Sequence, residues 1–200
     1  LYETSLGEVE LDALKELGNI GAGRAATALS KLVGRTIEMS VPKSKIVKIS
    51  ELNRHISDEI VAGVLTGLQD IEGQNSGYLY IMFPKDSSIS LVKTLCGSES
   101  LGEMEESALM EVGNILSSSF CDATAEMLGL VLLPSPPGLA IDYALAVVDS
   151  VVSIMAESSD TIIFFENQMR DQEDLKVYLM LIPEARFFKN MLGLLKMVYA

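Results

Sequence analysis

The order of apolar and polar positions divides the chain into two halves that read alike. Apolar residues recur at helical spacing over 8–32, and Gly34 supplies a stop signal. Residues 37–41 then alternate with period two, the pattern of a half-buried strand, which Pro42 would end. Ile49, Leu52 and Ile56 predict a short helix near 49–57. Apolar runs at 59–67 and 77–83 read as strands joined through Asp70, Gly73, Asn75 and Gly77, the chemistry of a hairpin connection. Residues 86–96 return to helical spacing and stop at Gly97.

The second half follows the same order. A helical pattern over 104–128 stops at Gly129, and a strand leads into Pro134-Ser135-Pro136-Pro137. Ile141, Leu145, Val148, Val152 and Met155 mark a helix at spacings of three and four. Strands are predicted at about 161–166 and 174–182, and a last helix follows Pro183. The fold class expected is α+β: one domain over 1–200, built from pseudo-symmetric αβ(α)ββα halves at about 5–98 and 100–198. Neither half can cover its own sheet. The expectation is therefore a six-stranded, mostly antiparallel sheet with the two long helices packed over it.

The two long helices carry the same polar residues. Asp12, Glu16, Gly18 and Asn19 align with Ser107, Glu111, Gly113 and Asn114, each pair 95 positions apart, and one constant offset means a duplicated unit. At about 100° per residue, positions i, i+4 and i+7 fall on one stripe about 60° wide. The opposite stripe reads Leu14, Leu17, Gly21, Ala25, Ala28 and Leu32 in the first copy. In the second it reads Leu109, Val112, Leu116, Phe120, Ala123 and Met127. Both helices are thus amphipathic, with a carboxylate and a carboxamide at the centre of the outward face. In each copy the Asn is followed by 22 residues and then by Pro42 or Pro137. The compound pattern Asp/Ser-x3-Glu-x2-Asn-x22-Pro, met twice, is far more specific than a solvated helix face requires.

Gly18, Gly21 and Gly23 lie inside the first helix, where each glycine costs about 0.5–1 kcal/mol relative to Ala. No Gly-Lys-Ser/Thr follows and no strand precedes, so a phosphate loop is rejected and close helix packing is the better account. Leu116 and Phe120 stand in the second copy where the first has Gly21 and Ala25, so large residues of one helix could fill the hollow beside small ones of the other.

Composition then narrows the chemistry. With 48% hydrophobic residues over 200 positions the chain can build a substantial core. A formal charge of −13 disfavours nucleic acid and anionic membrane as partners, because neither gains counterion release from an acidic surface. Cys96 and Cys121, set apart among apolar neighbours, read as reduced thiols of a cytoplasmic protein. His55 is the only histidine, which excludes a His-based metal cage or a Ser-His-Asp triad within one chain. No segment is long and apolar enough to span a membrane, and no signal-peptide pattern opens the sequence.

The paired motif, with Glu16 to Gly23, Ala25 to Ser30, Pro136-Pro137 and Ile141-Asp142, resembles the CheC branch of the CheC/CheX/FliY family of phosphatases over the whole chain. Two complete motifs resemble that branch more than CheX or FliY, and no appended domain is expected. The resemblance implies hydrolysis of the aspartyl phosphate on the chemotaxis response regulator CheY. It implies no cofactor of the chain's own, because the phosphorylated receiver brings its Mg²⁺. Such a substrate needs only a water placed in line with phosphorus, and a carboxamide both donates and accepts hydrogen bonds. Asn19 and Asn114 are expected to position that water, Asn being too weak a base to take its proton. Glu16 and Glu111 are expected to pair with the receiver's active-site lysine. Asp12 and Ser107 would support the docking edge, while Pro42 and Pro137 would be structural, each ending a strand. The resemblance further implies binding of the receptor deamidase CheD near the helix at 141–156, where Asp142, Asp149 and Glu157 are acidic. The chain is expected to act as a monomer. A competing class is a non-catalytic module like the middle domain of the flagellar switch protein FliM, which binds without hydrolysis.

Overall fold

The computed structural model describes residues 7–34, 36–40, 43–56, 58–100, 102–155, 161–170 and 174–198. The first half runs α1 (Glu8–Val33), β1 (Glu38–Met39), β2 (Lys43–Lys48), a 3₁₀ helix (Ile49–Arg54), β3 (Ile60–Gln69), β4 (Asn75–Pro84) and α2 (Lys85–Cys96). The second runs α3 (Glu103–Leu128), β5 (Leu133–Pro134), β6 (Gly138–Tyr143), α4 (Ala144–Met155), β7 (Thr161–Arg170), β8 (Asp174–Pro183) and α5 (Ala185–Val198). The anticipated glycine stops hold. Gly34, Gly97 and Gly129 end α1, α2 and α3 at φ of 70°, 72° and 68°, a left-handed conformation that glycine enters without strain.

One antiparallel sheet has the order β1-β7-β8-β4-β3-β5, with β2 also on β7 and β6 also on β3. The eight strands therefore occupy six positions, because each edge position is shared by two short segments. Exchanging the halves reverses this order onto itself, placing a pseudo-twofold between β4 and β8. The edges are swapped: β1 and β2 of the first half complete the second half's β7, and β5 and β6 complete β3. This is why neither half could close its own sheet.

Two segments differ from the sequence reading. Residues 43–48 form a strand where none was expected, because Lys43, Lys45 and Lys48 hide its alternation; lysine on an edge strand discourages pairing with another chain. Ile141 lies in β6, paired with Ala62, and the helix begins only at Ala144. Its apolar spacing happened to continue the helical stripe of Leu145 and Val148. In the first half the strand predicted over 37–41 shrinks to Glu38–Met39, and Pro42 lies outside the described residues.

The core lies on both faces of the sheet. On one face α1, α2, α3 and α5 cover Val64, Leu79, Ile81, Phe165, Val177 and Leu181. On the other, the 3₁₀ helix and α4 cover Tyr80, Met82, Phe164 and Met180. The shared layer explains why β4 and β8 read as nearly continuous apolar runs. Small-against-large packing between the long helices is present: a Cβ on Gly21 would lie 3.7 Å from the Phe120 backbone, and the Phe120 ring meets Phe165 at 6.0 Å. The inner stripe departs from expectation at one end. Leu32 is exposed, and burial passes to Ala26 and Leu29. Leu14 and Leu32 are five full turns apart and share an azimuth, so this exposure reflects where the covering surface ends, not the helix's own periodicity.

Candidate functional site

Each long helix is fixed at its start by a device that repeats at the same offset of 95. Gly7 and Gly102 are the N-cap residues, and Glu10 and Glu105 occupy the third helical position. Glu105 accepts the Gly102 amide at 3.1 Å. Its carboxyl is held below the ordinary range chiefly by its own backbone amide. The Glu10 carboxyl is lowered in the same way, and also by Lys196 of α5 at 3.1 Å. These carboxylates meet the unpaired amides and the positive end of the helix dipole. The sequence reading missed them, although the shared offset would have found them.

Farther along, the glycine before the second asparagine sets its helix against the sheet, and the glycine before the first is buried beside a cavity. Gly113 presses on β3, where an added Cβ would come within 2.6 Å of the Val64 side chain. Gly18 is buried and, with Gly21, Ala25, Phe120 and Phe165, borders a small apolar cavity of about 20 Å³. Close contact thus accounts for Gly113, whereas at Gly21 an added Cβ would meet the Phe120 backbone at an ordinary 3.7 Å, so contact permits glycine there without requiring it. Contact does not account for Gly23, whose missing side chain would meet nothing within 4 Å. Packing was the wrong reason for that glycine.

The outward stripe carries the expected side chains. On α1, Glu16 is exposed and Asn19 half-buried, with the Asn19 Nδ2 donating a long hydrogen bond of 3.5 Å to Glu16 Oε2. The Asn19 Oδ1 is covered and has no partner among the described residues. Asn19 is therefore less open than an outward helix position suggests. Asp12 is exposed and bonds Lys15 at 2.7 Å. On α3, Glu111 is exposed and Asn114 half-buried, while Ser107 turns its hydroxyl onto the Glu103 carbonyl of its own helix at 2.8 Å. Asp12 and Ser107 are thus matched in position but not in bonding.

Surroundings differ more. Beside Asn19 an open groove of about 660 Å³ is bordered by Ile20, Gly23, Arg24, Thr27 and Lys31 of α1, with Glu126 entering from α3 and pairing with Arg24. The corresponding α3 positions are Ile115, Ser118, Ser119, Asp122 and Glu126. The groove beside Asn19 thus holds two cations and one carboxylate, while the α3 counterparts carry two carboxylates, of which Glu126 faces the Asn19 groove.

The remaining expected residues are spread over the molecule. Pro137 joins β5 to β6, standing at the start of a strand and not at its end; the preceding Ser135 hydroxyl accepts the Gly67 amide at 2.9 Å. The Asp142 carboxylate accepts the Tyr143 amide at 2.7 Å within β6, Asp149 is exposed on α4, and Glu157 lies outside the described residues. Cys96 and Cys121 are both free, and burial pushes the Cys121 thiol up to about 12, with Asp122 adding to the effect. Among the described residues no group of His, Cys, Asp and Glu could hold a metal ion, and no helix is long and apolar enough to cross a membrane.

Known proteins match both halves of the chain. The CheC-like family model matches residues 9–46 and 104–141, each stretch containing one complete copy of the compound motif. The chain is 31% identical over 196 residues to the CheY-P phosphatase CheC of Bacillus subtilis strain 168, covering 92% of each protein. In fold it is similar to the crystal structure of Thermotoga maritima FliY, with a TM-score of 0.76 and 23% identity over 98% of this chain and 100% of that one. It is also similar to the FliM middle domain from H. pylori, with a TM-score of 0.73 and 8% identity over 94% and 99% of the two chains. At such identities the two structures speak for the fold alone.

Proposed function

The chain belongs to the CheC-like family, and on that footing we propose that it is a protein aspartyl-phosphate phosphatase acting on phosphorylated CheY. The observation that carries this reading is the pair of Glu/Asn couples, in register on the outward faces of α1 and α3. A docking surface has no need of a carboxamide one helical turn from a carboxylate, twice.

The chemistry asked of the chain is small. The receiver's acyl phosphate is already activated, and its own Mg²⁺ balances the phosphoryl charge. A water oxygen attacks phosphorus, the bond from phosphorus to the aspartyl oxygen breaks, and the carboxylate leaves with that electron pair. The water's proton passes to the released phosphate or to solvent. Glu16 or Glu111 pairs with the receiver's lysine and fixes the approach. The 3.5 Å contact from Asn19 to Glu16 favours a linked sequence. Once the lysine occupies the carboxylate, the amide is released to hold the attacking water. Positioning of this kind lowers the barrier by removing freedom of motion before the reaction, with no proton transfer to the amide.

Phosphate release from phosphorylated CheY tests the assignment with Asn19→Ala, Asn114→Ala and the double variant. Each single change is expected to lose part of the activity and the double change nearly all. A double variant as fast as the unsubstituted chain refutes the role of the amides. An unsubstituted chain that binds CheY without hydrolysis favours the FliM-like binding module. With both sites in one chain, a monomer suffices. Binding of CheD at α4 is a separate expectation, supported by the exposed Asp149 and tested by co-purification with Asp149→Lys as the control.

A further inference from the structure

Gly23 is a glycine without a structural cause. It lies in the interior of α1, where glycine is the least favourable residue apart from proline. It has an ordinary helical conformation, and its absent side chain faces open space. It is one turn beyond Asn19, about 40° away around the helix axis, and it forms part of the floor of the groove of about 660 Å³ beside that asparagine. Any side chain here would stand between Asn19 and whatever approaches along α1. Lys31 is exposed at the far end of the groove, and no ion pair engages it among the described residues. In a chain of net charge −13 a free cation so placed favours an anionic visitor. The second copy has Ser118 and Glu126 at the two positions, so it lacks both the gap and the cation.

We propose that Gly23 keeps open a cradle for the receiver backbone next to the phosphoaspartate, and that Lys31 attracts the anionic surface around the phosphoryl group. The two sites then differ in capture: the Asn19 site takes phosphorylated receivers with the lower KM and the steeper dependence on salt. The proposal rests on the phosphatase reading above and assigns a specificity-determining role at one of its two sites.

The test uses full-length chains in which one asparagine at a time is active. With Asn114→Ala as background, Gly23→Leu is expected to raise KM by roughly tenfold or more, since it fills a space the partner needs. Gly23→Ala raises KM less, yet raises the melting temperature by about 2–4 °C, as an exposed helical Gly→Ala exchange should in a chain of this size. Gaining stability while losing capture is not what a structural glycine does. Lys31→Glu raises KM and flattens its ionic-strength dependence. With Asn19→Ala as background, all three leave KM unchanged. An unchanged KM for Gly23→Leu in the first background, or an equal rise in both, overturns the proposal. Binding of the receiver loaded with beryllium trifluoride, followed by fluorescence anisotropy, separates the two failures. If no chain hydrolyses the aspartyl phosphate but Gly23→Leu still weakens binding, the cradle stands and the catalytic reading falls.

Discussion

Gly113→Ala probes the contact that places Asn114. The added Cβ would lie 2.6 Å from both Cβ and Cγ1 of Val64 and 2.8 Å from its Cγ2, about 1 Å inside ordinary contact. Val64 is fully buried in the middle of β3, branched at Cβ and flanked by β4 and β6, so it cannot turn aside. Overpacking of this severity belongs at the upper end of its usual range, about 3 kcal/mol. The better helix propensity of Ala offsets about 1 kcal/mol. The net loss is about 2 kcal/mol, or a fall of about 4–8 °C in the melting temperature of a chain of this length. Calorimetry reads the stability, and phosphate release in an Asn19→Ala background reads the effect on Asn114, which moves with the helix and loses activity. Val64→Ala should restore part of both, because it removes the two colliding methyl groups and leaves only the contact to the Val64 Cβ at 2.6 Å; the two changes then cost less together than the sum of each alone. A Gly113→Ala chain at least as stable as its parent, or a Val64→Ala change that rescues nothing, refutes the reasoning.

Asn19→Ala should leave the fold intact and raise its stability by about 1 kcal/mol, since it removes a covered carboxamide oxygen without a partner and improves helix propensity; a melting temperature below that of the parent contradicts this. The Glu105 carboxyl has a folded-state pKa below its unfolded value, so its stabilisation is complete above the ordinary carboxylate range and disappears as pH falls through the depressed folded pKa. Glu105→Gln should therefore lower the melting temperature near neutral pH, with the difference from the parent closing as the solution is made acid. A difference that stays constant with pH would show that the charge contributes nothing.

Much of this was legible in the amino-acid order because it depends on near neighbours. The long helices, their glycine stops, the hairpin of β3 with β4 and the strands β7 and β8 follow from periodicity over a dozen residues. The constant offset exposed the duplication, and the duplication singled out Glu16, Asn19, Glu111 and Asn114. Reading failed where a segment's state depends on a strand far away in sequence. Residues 43–48 are a strand because β7, more than a hundred positions later, offers them an open edge. Ile141 is drawn into β6 by Ala62 of β3. Neither partner is visible in a local window.

The sequence by itself determined the symmetry of the molecule and the chemistry placed on each half, since a repeat and a polar stripe need only spacing. Tertiary structure decided how the halves complete one another's sheet edges, that the amides are half-covered, and which helical glycines answer to packing. It also decided that Asn19 overlooks an open groove holding two cations and one carboxylate, in contrast to the serine and acidic positions that follow Asn114. Those outcomes turn on distances between residues remote along the chain, such as Gly113 to Val64 and Arg24 to Glu126. Such distances exist only once the two halves have packed.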